Sequence, residues 1–442
     1  MLNKIENLTE KINELAKEIK FIQRVNCSIT GTEFVHLMSI ILFSENGTKT
    51  LQQQCDDLEQ EFDINITPQA LSAKQNRKTA KIFLEKVYQL ILEENINEII
   101  EENDIFKEFT NVYIQDSSII NFHKIKSEFF KGSGGSQKQS SYKLNLIFNI
   151  AKMSVKSMTI HKVNITDQSL SPNTLEHLNK GDLHIADLGY YVLKDFKNTD
   201  YLGAHFLSRY KFKTNVFLNK NDDEKFDLIS YLSKQEKNII EFDEIYIGKK
   251  ERLKCRIICY KLSKDVADSR IRKKKVEYRR RCVNPPSKEL LESLKYAIFI
   301  TNIPKEKVSA EMIGTLYKIR WQIELIFKEF KSLMNIDAME GKNEATINTF
   351  IYGKLICILL ITDIKRLAII YAKKVNRELS FVKLIKHLKY NQKLEKAILN
   401  GEILELLEKI EIDIVKLCKT KRKRKTSRQL LDENIGFLET FL

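Results

Sequence analysis

This chain of 442 residues lacks the cysteine pattern of a disulfide framework. Its seven cysteines, at 27, 55, 255, 259, 282, 357 and 418, are odd in number and scattered, which suits a reducing cytosol rather than a secreted scaffold. Cys255 and Cys259 lie in RLKCRIICYKL. That segment alternates like a strand and no Cys or His follows at zinc spacing, so they read as two strand cysteines and not as half of a metal site. The segment MLNKIENLTEKINELAKEIK does not read as a secretory leader, because charges run throughout it and such a leader needs an unbroken apolar stretch. There is no long hydrophobic run either. The most apolar segment, 350–372, is interrupted by Lys354, Asp363, Lys365 and Arg366 and reads as a buried helix pair, not a membrane span. No Walker A sequence is present, so ATP-driven chemistry is not indicated. No internal repeat is found. One low-complexity patch, 132–136, reads as a mobile linker, with a phosphate cradle as the other reading. Tryptophan occurs once, at Trp321.

What the chain does have is positive charge: 74 Lys and Arg against 59 Asp and Glu, net +15, with a pI near 9.2. This balance favours phosphate binding through counterion release, and it equally favours solubility. One cluster spans 270–275 with Arg279, Arg280 and Arg281, and a second, KTKRKRKTSR, spans 419–428. The first fits DNA contact and a solvated charge run alike; the second reads as a flexible basic arm.

The segment YKIRWQIELIFKEFK holds Tyr317, Arg320, Glu324 and Lys331 at spacings of 3, 4 and 7. On one helix these four side chains fall within roughly 60° of one another, and Ile319, Ile323, Ile326 and Phe330 form a separate apolar stripe. One face is buried and another presents a carboxylate between two cations and a phenol. Read alone, this also fits an exposed helix with ordinary charge pairs. The whole pattern resembles the last catalytic motif of the DDE transposases of bacterial insertion sequences, the group named for Tyr-Arg-Glu-Lys. All four letters match at the right spacing.

That resemblance implies two further acids upstream, each at a strand end. The second motif, Asp-x-Gly-x-x-Phe, is matched by LHIADLGYYV, with Asp187 after the apolar run 183–186 and Val192 in place of Phe. Alone, Asp-x-Gly after a strand is a turn signal. The first acid is best placed at Asp116 in NVYIQDSSIINF, close to the family's Asp-Ser-Thr; Asp104 sits in a polar loop and Asp167 lies too near Asp187. KGSGGSQ, LGAHFLSRYKFKTNVF and TNIP support the register, so the likeness runs from about 60 to 345. It implies that Asp116, Asp187 and Glu324 are catalytic and hold Mg²⁺ or Mn²⁺, two ions, since hard ions take oxygen ligands. Tyr317, Arg320 and Lys331 are then expected to contact DNA phosphates, with Trp321 packed beneath the site.

The expected fold is α/β: an RNase H-like mixed sheet core with a β-rich insertion, flanked by helical regions. The divisions are a helical DNA-binding region to 105, core from 106 to 215, insertion from 216 to 298, core again from 299 to 375, and a helical basic region from 376 to 442. In the first region, Leu2, Ile5, Leu8, Ile12, Leu15, Ile19 and Ile22 repeat at near-heptad spacing, which fits chain pairing and, more commonly, packing on the same domain. Thr67-Pro68 reads as an N-cap with proline at N1, opening a helix whose Lys74, Arg77 and Lys78 are expected to face DNA. In related enzymes such an insertion can hold a flipped base against an aromatic side chain; with no tryptophan there, a stacking residue would be Tyr or Phe, such as Tyr246 or Tyr260, and the insertion is read mainly as a basic surface for terminal DNA. The function implied is a metal-dependent transposase. It would bind terminal inverted repeats as a homodimer on double-stranded DNA, cut at the element's ends and join the 3′-OH to target DNA, in the bacterial cytoplasm at the nucleoid and without a membrane. A stand-alone nuclease of the same fold and a domesticated, inactive DNA-binding protein are the alternatives.

Overall fold

What the middle of this chain brings together follows from how its strands line up. The computed structural model describes residues 2–23, 27–41, 49–93, 104–132, 139–339, 341–390, 403–419, 431, 433 and 436–438. Strands β1 (Val112–His123), β2 (Gln139–Asn149) and β3 (Ser154–His161) form an antiparallel meander. On the other side of β1, β4 (Leu183–Ala186) and β5 (His205–Arg209) join in parallel. All four residues of β4 are buried, as expected of a short central strand covered on both faces. The Leu193–Tyr201 helix makes the crossover from β4 to β5. Together these five strands form the RNase H-like core.

The sheet does not stop there. The strands β6 (Val216–Phe217), β7 (Ile239–Ile247) and β8 (Leu253–Lys261) join it through β9 (Tyr296–Thr301), which is antiparallel to β5. One nine-stranded sheet results, in the order β3-β2-β1-β4-β5-β9-β8-β7-β6. Cys255 and Cys259 are both buried in β8, and burial pushes their thiols up. The basic cluster of the 216–298 span is not on a strand. It lies on the Lys264–Arg280 helix, of whose residues only Ala267 is buried.

Helices cover the sheet. The Leu2–Glu18, Gly31–His36, Leu51–Phe62, Pro68–Gln75 and Lys78–Glu93 helices share one hydrophobic cluster with the core strands. Ile12 is buried and Leu8, Leu15, Ile19 and Ile22 lie against that cluster, so the near-heptad stripe from Leu8 onward packs within the chain; the side chains of Leu2 and Ile5 lie outside the described residues. Thr67 caps the Ala70 amide with Pro68 at N1. Arg77 and Lys78 are exposed, but Lys74 is not. It faces inward one turn after Leu71, its Nζ donating to the Ile29 carbonyl at 3.1 Å over the Phe21 ring.

The 350–372 segment is not a helix pair. It lies within a single helix, Glu344–Lys374, and two of its interrupting charges are accommodated in place. Lys354 donates to the Asn335 carbonyl at 2.7 Å and Lys365 pairs with Glu329 at 2.8 Å. Gly353 stays helical because the helix passes the Met38 carbonyl there; a Cβ at this position would stand 2.3 Å from that oxygen. Among the described residues no helix is long and apolar enough to cross a membrane. The 132–136 patch and the 419–428 cluster fall almost wholly outside the described residues.

Candidate active site

The register of three parallel strands sets the site. Ile114 of β1 lies opposite Ile185 of β4, and Ala186 lies opposite Ser208 of β5. Carrying that register forward brings Asp116, Asp187 and Arg209 level, side by side. Asp187 directly follows β4 and begins the Leu188–Tyr190 turn. Asp116, expected at a strand end, is in mid-strand instead. β1 loses β4 after Ile114, but β2 keeps pairing with it as far as His123.

Tyr317, Arg320 and Glu324 arrive from the opposite side, and not on one continuous helix. The Ala310–Lys318 helix ends, Ile319 and Arg320 form a turn, and the Trp321–Ser332 helix begins. Across this joint the amides of Ile319, Arg320, Gln322 and Ile323 bond to carbonyls three residues back, the tighter pattern that marks helix ends. Ile319, Ile323, Ile326 and Phe330 are all buried, as their stripe requires. Trp321 does not lie beneath the site. It is 53% exposed, because two residues' rotation from Ile323 carries it to the opposite face of the helix.

The polar contacts converge on Asp187. The Tyr317 hydroxyl donates to its Oδ1 at 3.2 Å, Arg209 Nη2 donates to the same oxygen at 3.0 Å, and Arg320 Nε lies 3.7 Å away. Arg320 Nη2 donates to Glu324 Oε1 at 2.7 Å, leaving Nε buried without a hydrogen-bond partner. The Arg209 guanidinium also stands 5.9 Å from the centre of the Tyr317 ring. Lys331 is apart from this group; its Nζ donates to the Ile119 carbonyl at 3.0 Å, further along β1.

These surroundings drive the carboxylates apart in acidity. Burial pushes Asp116 up to about 6, with Asp187 and Glu324 adding repulsion against the Ser117 amide and Arg320. Burial acts in the same direction on Asp187, but Arg320, Arg209 and the Leu188 amide outweigh it and hold that carboxyl below the usual range. Burial raises the Tyr317 phenol to about 12, so it donates at neutral pH. The three acids thus share one electrostatic neighbourhood. Among the described residues, no three Asp, Glu, His or Cys side chains are drawn together closely enough to hold a metal ion; Asp187 and Glu324 are turned to arginines.

Arg209 was not singled out from the sequence. Its signal was present in LGAHFLSRYKF: an arginine closing a strand parallel to the one that ends at Asp187. Beside Asp116, Ser117 Oγ donates to Asp167 Oδ1 at 2.7 Å, and Lys143 Nζ donates to the same oxygen at 2.9 Å. Of the two tyrosines considered for base stacking, Tyr260 is fully buried with its hydroxyl bonded to the Ala310 carbonyl, so it is closed to a base. Tyr246 is half-buried and donates to Glu244 at 2.7 Å.

Comparison with known proteins is consistent along the chain. The family profile described as Transposase DDE domain matches residues 107–360. The transposase for insertion sequence element IS231F of Bacillus thuringiensis subsp. israelensis is 28% identical over 395 residues, covering 85% of this chain and 82% of the relative. The transposase for insertion sequence element IS1151 of Clostridium perfringens is 28% identical over 377 residues, covering 80% and 77%. Among solved structures, a piggyBac transposase synaptic complex with hairpin DNA aligns over 96% of this chain and 85% of its own, at 8% identity and a TM-score of 0.47.

Proposed function

The chain belongs to the Transposase DDE domain family, and from that premise we propose that it is the transposase of an insertion sequence, with Asp116, Asp187 and Glu324 as its catalytic acids. The observation that carries the reading is that Arg320 binds Glu324 and faces Asp187, which Tyr317 and Arg209 also hold, with Asp116 level with Asp187 in the strand register and within their electrostatic reach. The donor set fits Mg²⁺ or Mn²⁺: it offers carboxylate oxygens and no thiol or imidazole. Once bound, such ions activate an attacking oxygen and stabilise a leaving one.

The chain's own groups supply the rest. Arg320 has one buried donor unspent and Arg209 is half-exposed, so both are suited to take a DNA phosphate when Asp187 and Glu324 turn to a cation. Tyr317 donates its hydroxyl at the same point. Lys331 and the exposed Arg272, Lys273 and Lys275 of the Lys264–Arg280 helix extend the positive surface along terminal DNA. In this reading water cleaves one phosphodiester at the element's end, and the freed 3′-OH then attacks a target phosphodiester. One bond forms as one breaks, so no ATP is consumed. A homodimer would hold the two ends together at the nucleoid.

The deciding assay incubates the full chain with duplexes carrying the element's ends and a target plasmid, in Mg²⁺ or Mn²⁺. Cutting followed by joining is expected. Cutting that never joins identifies a stand-alone nuclease, and binding without cutting identifies an inactive DNA-binding protein.

A further inference from the structure

Asp167 lies between the two aspartate motifs and has no part in the chemistry above. We propose that it is a positioning residue: through Ser117 it fixes the carboxylate of Asp116, an inference that rests on Asp116 being one of the catalytic acids. After Ile114, β1 has no partner on its β4 side, so the backbone carrying Asp116 and Ser117 is anchored by β2 alone. Ser117 supplies the missing anchor. Its amide donates to Asp116 Oδ1 at 2.8 Å while its hydroxyl donates to Asp167 Oδ1 at 2.7 Å. One residue therefore hands the orientation of one carboxylate to the next.

Asp167 is itself held. Lys143, from β2, donates to Asp167 Oδ1 at 2.9 Å and to the Ile165 carbonyl at 2.5 Å, tying the segment before the Asp167–Leu170 turn to the sheet. The ammonium also neutralises Asp167, so this fourth carboxylate does not compete as a cation ligand. On its other flank Asp167 meets the second motif. A Cβ built on Gly189 would stand 3.3 Å from Asp167 Oδ2 and 3.5 Å from its Cβ. Gly189 is not among the glycines with positive φ. The glycine of the Asp-x-Gly motif thus packs directly on Asp167, and a side chain there would have to push that carboxylate aside by a few tenths of an ångström. A single side chain spans from the residue after Asp116 to the residue two beyond Asp187.

The test compares Asp167→Ala, Asp167→Asn and Ser117→Ala in the full-length protein. Mn²⁺ binding is read by electron paramagnetic resonance without DNA, end-duplex affinity is measured in EDTA, and kcat is measured for cleavage. Removing a group that orients a ligand costs about 10–100-fold in metal affinity or activity. Asp167→Ala is therefore expected to weaken Mn²⁺ binding and lower kcat by that range while end-duplex affinity holds. Asp167→Asn should recover most of the loss, since its amide oxygen still accepts from Ser117. Ser117→Ala should reproduce the loss, and it serves alone if Asp167→Ala does not fold. Unchanged Mn²⁺ affinity in Asp167→Ala and Ser117→Ala overturns the inference. So does an Asp167→Asn protein as weak as Asp167→Ala with a matching fall in Tm, which would make the Lys143 pair structural only. Asp116→Ala runs alongside: if it still cuts, the assignment of the active site fails, whereas a dead Asp116→Ala beside a normal Asp167→Ala sinks this inference alone.

Discussion

Arg320, just ahead of the Trp321–Ser332 helix, reaches forward to Glu324 at 2.7 Å. Its side chain is only 12% exposed, and its Nε faces Asp187 at 3.7 Å. The guanidinium is thus the resident countercharge of two acids. Taking it away leaves Glu324 without its arginine and Asp187 held by Arg209 and Tyr317 alone. Because those carboxylates are about a third exposed, solvent screens part of the penalty. Arg320→Ala should cost about 1–3 kcal/mol in EDTA, and Mn²⁺ should restore much of it. Thermal melts with and without the ion check this; an EDTA melt like that of the wild type would contradict it.

The acidity of Asp116 gives stability a pH dependence of known sign. Its folded pKa, about 6, lies above the ordinary carboxylate value, so the folded protein holds a proton that the unfolded chain releases between roughly pH 4 and 6. This contribution is full below about pH 4 and is lost as pH rises through about 6. Asp116→Asn should escape the loss. In EDTA its stability advantage over wild type should grow from near zero at pH 4 to about 3 kcal/mol above pH 7, while its cleavage disappears. Denaturant titrations at pH 4, 5, 6 and 8 measure the difference, and a gap that does not widen with pH would refute it.

Asp187→Ala and Glu324→Ala should each abolish cleavage and leave binding to end duplexes within a few-fold of wild type. The pairing of Asp187 with two arginines makes a control worthwhile. Asp187→Asn retains oxygen contacts to Arg209 and Tyr317, so its fold should survive while cleavage still fails. Cleavage by either alanine variant would remove that residue from the catalytic set.

Lys331 and the exposed basic helix are separable on salt. Each phosphate contact contributes about 0.9 to the slope of log affinity against log salt. Lys331→Ala should flatten the slope by about 1, and replacing Arg272, Lys273 and Lys275 together by Gln should flatten it by up to about 3. Binding measured between low and moderate salt reads both. An unchanged slope would return those residues to a solvated surface.

Gly353→Ala probes the joint between the Glu344–Lys374 helix and Met38. A Cβ 2.3 Å from a backbone carbonyl oxygen forces a shift of one element, and overpacking of this kind costs about 1–3 kcal/mol. A lowered Tm with no change in the metal dependence of cleavage is expected. A Tm equal to wild type would show that the joint gives way freely.

Much of this was legible in the sequence for a physical reason. Asp187 follows a four-residue apolar strand, and Glu324 sits on a segment whose apolar stripe fixes which face is free; local pattern suffices for both. Asp116 was harder to place because nothing in VYIQDSSIINFH marks where one neighbouring strand stops and the other continues. Arg209 could not be found by spacing, since only the β4–β5 register sets it beside Asp187. The joint at Ile319-Arg320 carries no Gly or Pro, so helical periodicity ran through it unbroken. Lys74 shows the converse: a lysine on a polar-looking helix finds a buried carbonyl that only tertiary packing provides.

The continuity of the sheet has a consequence for how such a protein can change. Arg256 of β8, buried and paired with Glu241, donates to the carbonyls of Ile303 and Val308 at 2.7 and 3.1 Å. The Tyr260 hydroxyl takes the Gly314 amide at 2.9 Å and bonds the Ala310 carbonyl. Strand β8 therefore grips the start of the helix that brings Tyr317 to Asp187. The 216–298 span is no exchangeable cassette. Excising it would strand several buried polar groups, each costing about 1–3 kcal/mol, at the foot of the helix that carries Tyr317. Substitutions on the solvent face of the span leave these contacts alone, whereas a change in its length or strand register would pull them from the helix they prop up.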